Sequence, residues 1–387
     1  MVQSGLDVFL NESRSYARRS IALIANQSSV SLALEYSWAA MKRRGLSVKR
    51  IFSPEHGLFA VEQDQVAVAR EALEGVEIVS LYGSSYETLS PPPGSMEGID
   101  LVLFDIQDVG ARYYTYVNTM AMFMEALSGR DVEFMVLDRP NPLGGLRVEG
   151  PLLSKGFESF VGVHGVPVRH ALTAGELARH YRDEHGLDVN LIVTEMKGWR
   201  RAMLFGETGL PWVPPSPNMP TLDTAFLYPG LCLIEGTNLS EGRGTALPFK
   251  LLGAPFIDPF SFAGALEAVA LGGVRFRPVY FKPTYHKYSG EVCGGIYIHI
   301  TDLERFRPFL TGVAIIMAAR ALYPSRFEFS KEVYEFNTSH PAFDLLTGGE
   351  TIRSMIIAGE TLEAIRESWK RDEDRFSAAK IYFHLYK

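Results

Sequence analysis

Apolar residues in the first 140 positions come in short runs that stop abruptly at polar side chains. The run 21–25 ends at Asn26-Gln27, and 48–52, broken by Lys49-Arg50, ends at Ser53-Pro54-Glu55-His56-Gly57. The run 101–104 ends at Asp105-Ile106-Gln107-Asp108, and 134–137 at Asp138-Arg139-Pro140-Asn141. Short continuous apolar runs mark strands buried on both faces, as in parallel sheets. Between them the period becomes helical: Leu34, Trp38 and Met41 recur within 32–44 before a cationic turn and Gly45. Residues 115–128 suit a helix, and Thr173-Ala174-Gly175-Glu176 opens another with capping-box spacing. Strands are also expected at 76–82 and 191–193, residues 61–73 read equally as helix or loop, and the prolines at 91–93 impose an ordered loop. Strand and helix thus alternate to about residue 196, which predicts an α/β protein with a parallel sheet.

The period then breaks. Residues 211–259 are dominated by Gly, Pro, Asn, Ser and Thr, and a long irregular stretch inside a compact protein is usually functional. Beyond it, helices are expected at 260–271, 307–322 and 361–374, with an alternating strand at 295–300, giving a smaller α+β unit. A chain of 387 residues exceeds the usual size of one core, so two domains are expected, with the border between 220 and 260 and the irregular stretch lining the cleft.

Composition narrows the function. With 38 Lys+Arg against 45 Asp+Glu and a net charge of -7, the chain has no basic footprint for nucleic acid. Apolar stretches such as 312–322, interrupted by Arg320, are too short to span a membrane. Cys232 and Cys293 sit in apolar surroundings and read as buried thiols rather than a disulfide or metal pair. Residues 1–11 lack the features of a signal peptide, so a cytoplasmic location is expected. No cofactor is expected: neither a dinucleotide fingerprint nor a phosphate loop opens a helix, and no Gly-x-Ser-x-Gly elbow is present.

Ligands of open α/β sheets bind outside the carboxyl ends of the strands, so the polar clusters are expected to face one crevice. Glu55 and His56, held between Pro54 and Gly57, are presented at a strand end. Among Phe52, Leu58 and Phe59, desolvation would favour the neutral form of Glu55, as a general acid requires. The competing reading is a helix cap or an ion-pair partner. Alternation sends Asp105 and Gln107 to one side, and Asp108 precedes a turn at Gly110, then Arg112 and the tyrosines 113, 114 and 116. Aromatics beside fixed amides and carboxylates suit a carbohydrate, although Asp108 and Arg112 read also as a loop-shaping ion pair. Arg139 and Asn141 point at the same mouth, or simply form a turn beside proline. Asn26 follows the first strand, and the irregular stretch supplies Asn218, Glu235, Asn238, Glu241 and Arg243. Arg243 lies between Gly242 and Gly244, which would let an anionic ligand approach its guanidinium.

Taken together these segments resemble the exo-β-N-acetylmuramidase family. The matching motifs are Ile24-Ala-Asn-Gln-Ser28, Phe52-Ser-Pro-Glu-His-Gly57, Ser80-Leu-Tyr-Gly83, Phe104 to Tyr116, Val136-Leu-Asp-Arg-Pro-Asn-Pro142, Glu149-Gly-Pro151, Pro214 to Pro220, Tyr228-Pro-Gly230 and Glu235 to Thr245. The family's glycine-rich loop after Pro-Glu-His-Gly is replaced here by Val61 to Glu71. The resemblance implies a Rossmann-like N-terminal domain without a nucleotide, taken as residues 1–235, and an α+β auxiliary domain, 236–387, closing the cleft. It implies release of N-acetylmuramic acid from the non-reducing end of peptidoglycan fragments, with Glu55 as the catalytic glutamate. Asp105 or Asp108 would serve as base, nucleophile or orienting group for the 2-acetamido carbonyl. A cation among Arg112, Arg139 and Arg243, the last ranked first, would hold the lactyl carboxylate. The competing functions are a non-catalytic sugar-binding protein and a hydrolase using a metal held by His56, Asp105 and Glu55.

Overall fold

The computed structural model of the chain describes residues 1–63, 66, 73 and 75–387; most of the helix-or-loop segment 61–73 lies outside them. Strands β1 (Ser20–Ala25), β2 (Ser47–Ser53), β3 (Glu77–Ser80), β4 (Leu101–Asp105), β5 (Glu133–Leu137) and β6 (Asn190–Thr194) form one sheet ordered β3-β2-β1-β4-β5-β6. Every pairing is parallel, with Ile24 opposite both Phe52 and Phe104. This is the doubly wound order, whose direction reverses between β1 and β4.

The apolar runs are continuous because both faces are covered. Alternation sends Ala22, Ile24, Phe52, Val102, Phe104, Phe134 and Val136 into a core shared with helices Thr115–Leu127 and Ala174–His185. Ile21, Leu23, Leu101, Leu103, Met135 and Leu137 enter a second core with helices Gly5–Asn11 and Ser37–Arg43. Thr173 caps its helix as its spacing predicts: its hydroxyl accepts from the Glu176 amide, and the Glu176 carboxylate accepts from the Thr173 amide.

A smaller antiparallel sheet, β7 (Leu251–Ala254), β8 (Val274–Phe281) and β9 (Cys293–Ile300), is ordered β7-β9-β8 and packs with helix Pro259–Ala268, which in turn lies against Pro308–Leu322. The larger core is continuous across both parts, holding Phe134 and Ile296 in one cluster. Helix Leu222–Leu231 lies against Pro308–Leu322, close enough that Gly230 and Gly312 have no room for a side chain. The C-terminal Tyr386 returns to the large sheet, where its hydroxyl donates to Asp138 at 2.6 Å.

Several expectations are corrected. The stretch 211–259 is not irregular throughout, since it contains Leu222–Leu231 and β7. The helix expected over 32–44 is only Ser37–Arg43, and 361–374 is two helices, Leu362–Ser368 and Lys370–Ala379, interrupted at Trp369. The opening helix Gly5–Asn11, β8 and the helices Ala342–Thr347 and Thr351–Ala358 were not anticipated. Both cysteines are buried free thiols, and no described helix is long and apolar enough to cross a membrane.

Candidate active site

Beyond β2 the chain turns tightly: the Gly57 amide donates to the Pro54 carbonyl at 3.0 Å, and His56 and Gly57 both hold positive φ, 71° and 80°. The turn places Glu55 and His56 in a pocket lined from both parts of the chain, about 460 Å³ of space counted out to the open solvent at its mouth. Thr115, at the first turn of its helix, donates its hydroxyl to Glu55 Oε2 at 2.8 Å and so fixes the carboxylate. His56 Nδ1 lies 2.9 Å from the Glu62 carbonyl, which only accepts, so this nitrogen carries the proton.

Aromatic rings build the walls. Tyr114 meets Tyr116 and Tyr228 edge-on at 5.0 and 5.6 Å, and Tyr228 meets Phe249 at 5.1 Å. Asn218 and Ser216 line the mouth. The 214–220 segment is held down by Asn26 Nδ2 and the Tyr116 hydroxyl, which donate to the Pro215 carbonyl at 3.0 and 2.7 Å. Asn26 thus shapes the pocket from behind. Asn218 Nδ2 donates to Gln63 Oε1 at 2.9 Å, and Tyr285 donates to the same oxygen at 2.8 Å, joining the two parts across the mouth.

The far wall carries Glu235, Arg243, Tyr334 and Glu335. Arg243 Nη2 donates to Glu235 at 2.8 Å, its Nε lies 3.4 Å from Glu241, and its guanidinium stacks 5.1 Å from the centre of Phe249. Burial opposes charge on Glu241, but Lys287, His286 and Arg243 around it hold its carboxyl well below the usual range. The glycines beside Arg243 are packed on backbone. Gly242, at φ 81°, faces the Leu251 and Leu247 carbonyls, and Gly244, at φ 78°, faces the backbone of Thr284 and Tyr285.

The other strand-end clusters do not join this pocket. Asp105 is fully buried with Arg139 Nε 2.7 Å from its Oδ1; burial raises its pKa in spite of the guanidinium. Arg139 and Gln107 line a separate small crevice at the β1–β4 reversal, where Gln107 Nε2 donates to the Asp108 and Pro140 carbonyls at 2.7 and 2.8 Å. Asn141 bonds Leu143 and Leu172 and supports a turn, and Asn238 bonds the backbone of Arg326 and Glu328. Arg112 is entirely buried, donating to the carbonyls of Pro151, Val166 and Leu346, and burial lowers its pKa to about 10. It forms no loop-shaping pair with Asp108, which instead accepts from the Gly110 amide at 2.7 Å and faces His170 at 3.7 Å. Burial pushes Asp108 up to about 7 and His170 down to about 3. Among the described residues no group of His, Cys, Asp and Glu is arranged to hold a metal, so His56, Asp105 and Glu55 do not converge as a ligand set.

Tyr334 and Glu335 escaped the sequence reading. They lie in Lys331 to Asn337, which carries no glycine or proline to signal a turn.

Comparison with known proteins agrees with this division into two parts. Residues 21–223 match the N-terminal model, and 226–386 the C-terminal model, of the exo-β-N-acetylmuramidase NamZ. The chain is 40% identical over 389 residues to the peptidoglycan β-N-acetylmuramidase NamZ of Bacillus subtilis strain 168, covering 100% of this chain and 91% of that protein. Crystal structures of two DUF1343 family proteins from Bacteroides fragilis superpose with TM-scores of 0.90 and 0.76 at 32% and 28% identity, covering 100% of this chain and 99% of each. Matched along its whole length in sequence and in fold, the chain belongs to the exo-β-N-acetylmuramidase NamZ family.

Proposed function

We propose that the chain hydrolyses peptidoglycan fragments from the non-reducing end, releasing N-acetylmuramic acid, and that Glu55 is its general acid. The observation that carries this reading is Glu55 itself, fixed by Thr115 in a tyrosine-walled pocket between the parts of an exo-muramidase fold. Rings with polar edges suit a sugar, whose faces stack and whose hydroxyls need donors and acceptors. A glycosidic bond breaks through an oxocarbenium-like transition state, and an acid that protonates the leaving oxygen lowers its barrier. Thr115 donates to Oε2 of Glu55 and so orients the carboxyl group in the pocket. His56, on the same turn, adds a second polar group at the pocket floor. We place the border between the two domains at residues 235 and 236, which puts Glu235 at the junction of the two.

The test is hydrolysis of a chromogenic β-N-acetylmuramide beside the corresponding N-acetylglucosaminide, with the parent and with Glu55→Gln. Turnover of the muramide that disappears in Glu55→Gln, with sugar binding kept, is the expected result. Saturable binding without turnover by the parent would make the protein a sugar-binding module instead.

A further inference from the structure

Glu335 reaches the pocket from the smaller part of the molecule, and its delivery is costly. Tyr334 and Asn337 bond each other's backbones in both directions, at 2.9 and 3.3 Å, closing a two-residue hairpin turn. The residues between them, Glu335 and Phe336, both hold positive φ, 47° and 64°. Such turns normally take glycine, asparagine or aspartate, and a bulky residue in this region is strained. Strain of this kind persists only where the surroundings over-determine it, and it clusters at functional sites. His56 and Phe249, two other residues lining the same pocket, also hold positive φ, 71° and 59°.

What holds the turn comes from the other part of the chain. The Phe336 ring lies 5.5 Å from Tyr82 and packs on a buried cluster with Leu89, Met122 and Phe160. The Tyr82 hydroxyl donates to Glu335 Oε2 at 2.8 Å, across 253 residues. Next to it, Tyr334 donates to Glu235 at 2.6 Å, while Arg243 donates to the other oxygen of Glu235 at 2.8 Å. Of the pocket carboxylates, Glu235 therefore has both oxygens engaged by the far wall itself. Glu335 lines the same pocket as Glu55 and is held there by a bond from the other part of the chain.

From this geometry we propose that Glu335 is the second catalytic carboxylate, facing the anomeric carbon while Glu55 faces the leaving oxygen. This rests on the glycosidase reading above. In the step, Glu55 gives its proton to the leaving oxygen as the C–O bond breaks. Glu335 takes a proton from the water whose oxygen bonds to the anomeric carbon, so the products are the free sugar and the shortened fragment.

The experiment compares Glu335→Gln, Glu335→Ala and Glu55→Gln on the chromogenic muramide. Both Glu335 variants should lose about 10²- to 10⁴-fold in kcat, with KM within about tenfold of the parent. Azide or formate should restore part of the turnover of Glu335→Ala, because a small anion occupies the vacated carboxylate position. A folded Glu335→Ala that turns over within about threefold of the parent would overturn the proposal, as would a loss confined to KM. If Glu335→Ala fails to fold, the isosteric Glu335→Gln decides by the same kcat criterion. Loss in Glu55→Gln alone removes Glu335 from the chemistry and leaves the glycosidase reading intact, whereas near-parental rates in all three variants remove both.

Discussion

Two crevices of this molecule invite a ligand, and they have been treated differently. One lies where the sheet order reverses between β1 and β4, the usual ligand position of a doubly wound sheet. It is lined by the larger part of the chain alone, and its polar groups pair within that part: Arg139 is bonded to Asp105 and to the Val30 carbonyl, and Gln107 to the Asp108 and Pro140 carbonyls. The other lies one strand away, beyond β2, and gains its far wall from the smaller sheet's side of the molecule. There Glu55 from one part and Arg243 and Glu335 from the other line a single pocket. A sheet end supplies ionisable residues at every strand, and whether they serve chemistry or architecture depends on what the rest of the chain lays over them.

Mutation should separate the two. The largest effect is expected from Glu55→Gln, which should lower kcat about 10²- to 10⁴-fold while leaving sugar binding within about tenfold, by calorimetry. Arg139→Ala should do the opposite. It leaves Asp105 buried without its cation, which costs about 3–5 kcal/mol of unfolding free energy in denaturant titrations, while kcat of the folded fraction stays near the parent's. A catalytic loss in Arg139→Ala without loss of stability would return the reaction to the sheet's own crevice.

Arg243→Ala comes next. Its guanidinium is shared between Glu235 and Glu241, and its flanking glycines are packed on backbone, so we expect it to brace the far wall. The muramide and a lactyl-free analogue should therefore lose kcat/KM equally, by about ten- to a hundredfold for one charge-assisted bond. A loss confined to the muramide would assign the lactyl group to Arg243.

The smallest effect concerns Asp108. Burial holds its folded pKa at about 7. An unfolded Asp titrates near 3.9. Between these values the folded state binds the extra proton, so the contribution of Asp108 to stability is most favourable below about pH 4 and is lost as pH rises through 7. Asp108→Asn should melt higher than the parent at pH 8, and that advantage should vanish towards pH 4. A difference independent of pH would mean that Asp108 is not the titrating group.

The strands and the Thr173 cap were legible because they depend on local pattern alone: an unbroken apolar run, or a hydroxyl three residues before a glutamate. The site was legible in part. Glu55 could be placed because proline and glycine bracket its turn. Asp105, Arg112, Arg139 and Asn141 could not be told from ligand-binding groups, since the carbonyls and charges they satisfy lie far along the chain, as Leu346 does for Arg112. The Glu335 hairpin was invisible for the opposite reason. Its turn contradicts the preference of its residues, and Tyr82 and the Phe336 packing, which hold it, lie far along the chain.

The most direct test of the account is the position of bound sugar in crystals of Glu55→Gln soaked with a muramic-terminated disaccharide. The account predicts the non-reducing sugar among Tyr114, Thr115, Tyr334 and Glu335, with its glycosidic oxygen beside residue 55. Sugar seated over Arg139 and Gln107, at the β1–β4 reversal, would contradict it.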